Sequence, residues 1–174
     1  MEINIHQLAD HFAQASVAFF DIFAPAVPPG GRQINWKTNK NGAGLVFPLA
    51  GSSRYTLNGT PYVLEPGVVL HAGPDTPVSK EVIGDVHWQY ALIHYQIPKE
   101  EVPRFPLFNE HFLIKTGDNP RLTDLIGQLR QSYAALDTMA ALKSKVLFMN
   151  VVEEMIVSAK RQVRDENADL MTQA

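Results

Sequence analysis

The pattern of apolar and polar positions changes near residue 100. Between residues 16 and 96, glycine and proline separate short runs rich in Val, Ile, Tyr, Phe and Trp, which is typical of antiparallel β-structure. From Arg121 onward, apolar residues recur every three or four positions and only Gly127 interrupts them, as in amphipathic helices. The pattern therefore predicts a mainly β domain followed by helices.

The clearest local signal is a β-hairpin within residues 54–64. Its turn is Asn58-Gly59, a pair that tolerates the positive φ angles of a two-residue type I′ turn. That turn places Tyr55 opposite Tyr62, so that both tyrosines share one face of the sheet.

Two further strands follow from the pattern, and one segment stays open. Residues 68–71 form a strand after the turn Glu65-Pro66-Gly67, and residues 86–96 form the longest strand, apolar on both faces and therefore buried on both sides. Short strands joined in this way favour a sandwich or barrel over a flat sheet with exposed edges. Residues 6–14 fit either a helical turn or a flexible arm.

Two helices are expected in the second half. The first follows Asn119-Pro120 and has apolar residues at helical spacing. The second spans residues 138–164 and carries a heptad stripe. The apolar positions of the first are Leu122, Leu125, Ile126, Leu129, Tyr133 and Leu136, and those of the second are Leu142, Val146, Met149, Val152, Ile156, Ala159 and Val163.

The heptad stripe admits two interpretations that do not exclude each other. It can pack against its own barrel and the preceding helix, or it can contact a second subunit. A helix of that length extends about 39 Å, farther than the flank of a small barrel, so part of the stripe stays free. We therefore predict a homodimer formed through Leu142, Val146, Met149, Val152, Ile156 and Ala159.

Composition narrows the possible functions. Lys and Arg number 15 against 18 Asp and Glu, a net charge of −3, and no basic run offers a surface for phosphates. The absence of cysteine excludes disulfides, thiolate metal sites and a cysteine nucleophile. The N-terminus lacks the cationic start of a signal peptide, and Asp10 and Asp21 interrupt its apolar stretch. We expect a cytoplasmic protein with no membrane partner.

An ordered set of strand motifs resembles the N-terminal cupin-like domain of AraC-family transcription regulators. The set consists of residues 45–51 (LVFPLAG), the hairpin at residues 55–64, residues 65–70 (EPGVVL) and the aromatic strand at residues 88–95 (WQYALIHY). The resemblance extends over about residues 30–165, because the two helices lie where the family has its dimerisation helices.

The resemblance implies a double-stranded β-helix barrel that binds a small effector, with a sugar as one option, and a helix pair that joins two subunits. Residues 1–100 would form the barrel with an N-terminal arm, residues 101–165 the helical dimerisation segment, and residues 166–174 a linker. The DNA-binding domain of the family is expected to be absent from this chain, so contact with DNA would occur only through that domain.

Two positions depart from the family pattern. Pro77 and Val78 stand where many relatives have histidine, and Leu92 stands where the arabinose-sensing members have a pocket tryptophan. The resemblance therefore does not identify the effector.

The candidate ligand-binding residues are aromatic or basic. Aromatic side chains can stack on a sugar or another planar ligand, but they can equally fill a small barrel. Strand-edge arginines such as Arg54 can bind a carboxylate or phosphate, although most are simply solvated. The predicted set is Arg32, Trp36, Tyr62, His71, Trp88 and Tyr90.

Catalysis, a metal and a cofactor are not expected. Cupin enzymes hold a metal with a His-x-His pair, a Glu and a later His, and no His-x-His occurs here. His87 and His94 lie on opposite faces of one strand, so at most two of the barrel histidines can converge. A small metal-dependent cupin enzyme, such as an isomerase or dioxygenase, and a ligand-free barrel that only dimerises are the alternatives.

Overall fold

Two antiparallel sheets form the body of the structure, a computed structural model that describes residues 3–173. One sheet has the order β1-β9-β4-β7-β10, with β2 also paired to β9, and the other has the order β3-β8-β5-β6. The strands are β1 (Ala18–Phe23), β2 (Ala26–Val27), β3 (Arg32–Lys37), β4 (Ala43–Ala50), β5 (Ser52–Leu57), β6 (Thr60–Leu64), β7 (Val68–Ala72), β8 (Pro77–Ile83), β9 (Trp88–Gln96) and β10 (Phe112–Lys115).

The strand pairs are nested along the chain. β5 pairs with β6, β4 with β7 and β3 with β8, all antiparallel, so each pair encloses the one before it. This nesting is the connectivity of a double-stranded β-helix, the architecture of cupins and other jelly rolls. The predicted fold class, a cupin-like barrel with C-terminal helices, is confirmed.

The predicted hairpin has the predicted turn and register. Asn58 and Gly59 both have positive φ, 48° and 87°, as a type I′ turn requires. Tyr55 lies opposite Tyr62, and both side chains are buried inside the barrel.

Alternate residues of the strands serve two separate cores. On β9, Trp88 and Leu92 face the barrel interior, whereas Ile93 and Tyr95 face the helices. β9 is therefore buried on both sides, as its apolar pattern predicted. We call the two sides the inner face, which encloses the barrel, and the outer face, which the helices cover.

The segment left open by the sequence is a helix, α1 (Ile5–Gln14). The Asn4 side chain caps it by accepting a hydrogen bond of 3.1 Å from the Gln7 backbone N–H. Leu8 and Phe12 are buried in the outer core. Since these apolar residues anchor α1 to the fold, the segment is not a free arm.

The two C-terminal helices are α2 (Pro120–Ala134) and α3 (Thr138–Gln173). α2 buries Leu122, Ile126 and Leu129, and its predicted stripe ends early, because Leu136 lies beyond the helix and is 99% exposed. α3 continues past the predicted end at residue 164 into the expected linker, since no glycine or proline stops it. Residue 174 lies outside the described residues.

The sheet also extends past residue 100, into the segment expected to be helical. Two short 3₁₀ helices, Lys99–Arg104 and Pro106–Asn109, lead to β10. β10 pairs with β7, and its alternate residues Phe112 and Ile114 are fully buried. Residues 101–165 are therefore part sheet and part helix.

The heptad stripe of α3 divides between two environments. Leu142 and Val146 are each 54% exposed, whereas Val152 and Ala159 are buried against the protein's own core. Val146 and Val152 are six residues apart, which at 3.6 residues per turn places them about 120° apart around the helix. Val152 and Ala159 therefore face the core and are not available to a second subunit, whereas Leu142, Met149 and Val163 stay partly exposed.

Candidate ligand site inside the barrel

Two adjoining cavities lie inside the barrel, with volumes of about 170 and 220 Å³. They share Gln33, Tyr55 and Lys80, so these residues form the boundary between them. We refer to them as the first and second cavity.

The first cavity has an aliphatic wall and a polar rim. Trp36, which is 58% exposed, and Thr38 contribute to the rim. The aliphatic wall is formed by Val46, Leu57, Leu70, Ala72, Val78 and Leu92. A wall of this composition favours an apolar ligand group and offers no hydrogen bonds to a polar one.

His94 borders the first cavity and is held from behind by Asp21. The His94 Nδ1 and Asp21 Oδ1 atoms are 2.6 Å apart, and both side chains are close to nine-tenths buried. A Cβ on neighbouring Gly44 would lie 3.2 Å from Leu92 Cδ1 and 3.5 Å from His94 Cδ2. The missing side chain of Gly44 therefore keeps space open beside the imidazole.

The second cavity is aromatic on one side. Trp88 and Tyr90 stack with their ring centroids 5.2 Å apart and an interplanar angle of 22°. Tyr55 meets both rings edge-on, at 6.3 and 6.5 Å, a favourable arrangement for aromatic groups. The three rings form a rigid wall that presents both faces and edges.

Lys80 brings a positive charge to the boundary between the cavities. It is half-buried on β8 between the inward-facing Val78 and Val82, and its Nζ lies 5.0 Å from the centroid of the Tyr55 ring. Within residues 3–173 it forms no ion pair. Burial lowers the pKa of its ammonium group below the usual value, because desolvation disfavours the charged form.

Two more polar atoms in the barrel lack partners. The Tyr55 hydroxyl and Trp88 Nε1 are buried and accept or donate no hydrogen bond. The Tyr55 hydroxyl lies near the Trp88 and Tyr90 side chains, but without the geometry of a hydrogen bond to either. Burial raises the pKa of Tyr55 well above its usual value, so this phenol is a neutral O–H donor.

The predicted site residues are found in three places. Arg32, Trp88 and Tyr90 line the second cavity, and Trp36 lines the first. Tyr62 lines neither, because its hydroxyl contacts His111 Nδ1 at 2.7 Å. His71 also lines neither cavity.

His71 instead belongs to a buried network on the outer face. Its Nδ1 must donate to the Glu110 carbonyl at 2.9 Å, so its Nε2 accepts from the Tyr95 hydroxyl at 2.7 Å. The Tyr95 oxygen then accepts from His11 Nε2 at 2.8 Å. Burial lowers the pKa of His71 to about 3 and that of His11 to about 4, so both imidazoles are neutral.

The sequence interpretation did not include Tyr55, Lys80 or His94 among the ligand-binding residues. The available signal was the alternation of Val78, Lys80 and Val82, which places a lysine on the inner face of a strand. Recognising it requires the pairing of β8 with β3 and β5, and those contacts join distant parts of the chain.

No group of three or more His, Asp and Glu side chains in the described part of the chain is arranged to hold a metal ion. No helix of that part is long and apolar enough to cross a membrane.

Comparison with known proteins identifies the fold through solved structures. No protein-family model and no curated protein sequence matches the chain. ToxT from Vibrio cholerae resembles it with a TM-score of 0.50 and 9% identity, over 76% of this chain and 54% of ToxT. A second ToxT structure, bound to (E)-4-(8-methylnaphthalen-1-yl)but-3-enoic acid, gives 0.50 and 9% over 80% of this chain and 58% of ToxT.

The Cnp3 cupin domain from Schizosaccharomyces pombe also matches, at 17% identity and a TM-score of 0.42, over 52% of this chain and 72% of that domain. The chain thus spans little more than half the length of ToxT. At these identities the ToxT match is a match of fold: a cupin-like barrel followed by helices.

Proposed function

We propose that this chain is the ligand-sensing and dimerising part of an AraC-type transcription regulator, with a small effector bound inside the barrel. The observation that carries the proposal is the pair of cavities with apolar walls that meet at Tyr55 and at the half-buried Lys80, which forms no ion pair within residues 3–173. A half-buried charge without a counter-ion is unfavourable, and a bound ligand with a complementary group removes that cost.

Two further observations support a sensor over a barrel that only dimerises. The interior is not packed solid, since each cavity exceeds the volume of a water molecule several-fold. ToxT, whose fold this chain resembles, has been solved with a small carboxylic acid bound. The sequence resemblance to AraC-family sensor domains points to the same function.

Dimerisation is proposed through the exposed start of α3. Met139, Leu142, Val146 and Met149 are 71, 54, 54 and 39% exposed and follow one another at intervals of three, four and three residues. Such an apolar stripe on a surface helix is typical of helix pairing. DNA would be bound by a separate domain, and effector binding would change how two such domains are placed.

A thermal-shift screen against small metabolites tests the sensor function, because a ligand that binds only the native state raises the melting temperature. Leu92→Phe adds volume to the first cavity and should abolish the response to a ligand that occupies it. Val63→Phe adds the same kind of side chain at an exposed position of β6 and should leave the response intact. A screen with no response in any ligand class contradicts the proposal.

Sedimentation velocity tests the dimer. The double variant Leu142→Glu, Val146→Glu should shift a dimer to a monomer, since it places charges in the stripe. Val63→Glu, which also replaces an exposed valine, should remain dimeric. A wild-type chain that is monomeric at all concentrations contradicts the dimer.

A further inference from the structure

We infer that the barrel ligand is an organic monoanion, a carboxylate paired with the Lys80 ammonium group and attached to an apolar body that occupies the first cavity. This inference rests on the proposed sensor function and specifies its ligand.

The first argument concerns charge. A half-buried ammonium group without a counter-ion is unfavourable, and the nearby carboxylates are already engaged. Glu81, which lines the second cavity, pairs with Arg54, and Asp21 pairs with His94. Among residues 3–173, therefore, no carboxylate pairs with Lys80, and a ligand carboxylate would.

The second argument concerns hydrogen bonding. Trp88 Nε1 can only donate, and the side chains of Tyr55 and Trp88 line the second cavity. Neither the Tyr55 hydroxyl nor Trp88 Nε1 has the geometry of a hydrogen bond, although the two side chains lie close to each other. With the Lys80 ammonium group, the cavity lining therefore offers donors. A carboxylate has only acceptors and so matches this set, and charge-assisted hydrogen bonds of this type are stronger than neutral ones.

The third argument concerns what the site excludes. A sugar needs acceptors as well as donors along its whole surface, and the aliphatic wall around Leu57 and Leu70 provides neither. A phosphate ester carries a second charge, and the other cations of the lining, Arg32 and Lys37, lie at the exposed rim rather than at the half-buried boundary beside Lys80. A carboxylate with an aliphatic or aromatic body would pack that body against the aliphatic wall and place its charged group beside Lys80.

Titration calorimetry with matched probes tests this inference. Octanoate and 3-phenylpropionate are compared with octanol and 3-phenylpropanol, which have the same apolar body without the charge. At least one acid should bind the wild-type protein more tightly than its alcohol. Lys80→Met should weaken binding of that acid at least tenfold and leave the alcohol unchanged or slightly tighter.

Lys40→Met is the matched control, because Lys40 is an exposed lysine that lines neither cavity and directly follows Asn39 of the first cavity along the chain, and its replacement removes the same charge. It should not change acid binding. Tyr55→Phe provides a second variant that retains the charge, and it should weaken acid binding several-fold without affecting the alcohol.

The outcomes separate the inference from the function on which it rests. If neutral compounds bind and Lys80→Met binds acids as well as the wild type, the monoanion inference is wrong and the sensor function stands. If neither the probes nor the wider metabolite screen gives binding, the sensor function itself is wrong.

Discussion

The outer face of the barrel and its interior differ in how many of their buried polar groups have hydrogen-bond or ion-pair partners. On the outer face, hydrogen bonds join the side chains of His71, Tyr95 and His11. Of the four imidazole nitrogens and the one hydroxyl in this network, only His11 Nδ1 has no partner. In the interior, the Tyr55 hydroxyl and Trp88 Nε1 make no hydrogen bond, and Lys80 forms no ion pair within residues 3–173. The outer face therefore satisfies most of its polar atoms within the protein, whereas the proposed function assigns those of the interior to a ligand.

The largest expected effect is on the outer face. Phe148 of α3 is 1% exposed and packs near Phe19 and Tyr95, with ring centroids 5.6 and 6.2 Å away. Phe148→Ala should lower the free energy of unfolding by about 3–5 kcal/mol, since it removes a buried ring and leaves a cavity. Urea denaturation measures the loss.

Leu92→Ala, at a half-buried position that already borders a cavity, should cost less than Phe148→Ala. An equal or larger loss for Leu92→Ala would show that the interior, like the outer face, is a packed core.

The second largest effect should come from Tyr95→Phe. This change removes the hydroxyl that joins the two histidines, so His71 Nε2 is left buried without a donor. The expected loss is about 1–3 kcal/mol, the cost of an unsatisfied buried group. A loss below 0.5 kcal/mol, an approximate threshold for surface substitutions, would mean that the network contributes little.

The sequence predicted most of the fold because the signals of the fold are local. The Asn58-Gly59 turn specifies its own hairpin, and the period of apolar residues identifies β9, α2 and α3 wherever they pack. α3 extends farther than predicted because helix formation needs only the absence of a stop signal, and the apolar pattern ends before the helix does.

The site could be predicted only in part because its signals are not local. His71 and Lys80 both lie on strands of the barrel, and the sequence alone favoured His71 as the ligand contact. Strand pairing places His71 on the outer face and Lys80 at the boundary between the cavities. The face that a strand residue occupies depends on register with distant strands, and one residue of shift reverses it.

A graded effect of pH on the free energy of unfolding should come from the buried network of His71, Tyr95 and His11. His11 and His71 have native pKa values of about 4 and 3, below about 6.5 in the unfolded chain. As the pH falls below about 6.5, the two histidines become protonated in the unfolded chain but stay neutral in the native protein. The native state therefore loses stability until the pH reaches about 4 for His11 and about 3 for His71. The loss should reach at most about 1.4 kcal/mol per pH unit for each histidine.

Urea denaturation between pH 7 and pH 4.5 measures this dependence. His71→Gln should reduce the slope, since it removes one of the buried histidines whose pKa burial lowers. His6→Gln, at an exposed position of α1, is the control and should retain the slope. A flat profile in the wild-type protein would show that the two histidines are protonated without cost.

The smallest effect on stability should come from Tyr55→Phe, the same chemical change as Tyr95→Phe on the other side of the sheets. The Tyr55 hydroxyl has no hydrogen-bond partner to lose, and its removal relieves an unsatisfied buried group. The free energy of unfolding should therefore stay within about 0.5 kcal/mol of the wild-type value or rise slightly, while acid binding weakens. A loss comparable to that of Tyr95→Phe would mean that the Tyr55 hydroxyl stabilises the unliganded fold, and the contrast between the hydrogen-bonded network of the outer face and the unpartnered groups of the interior would be wrong.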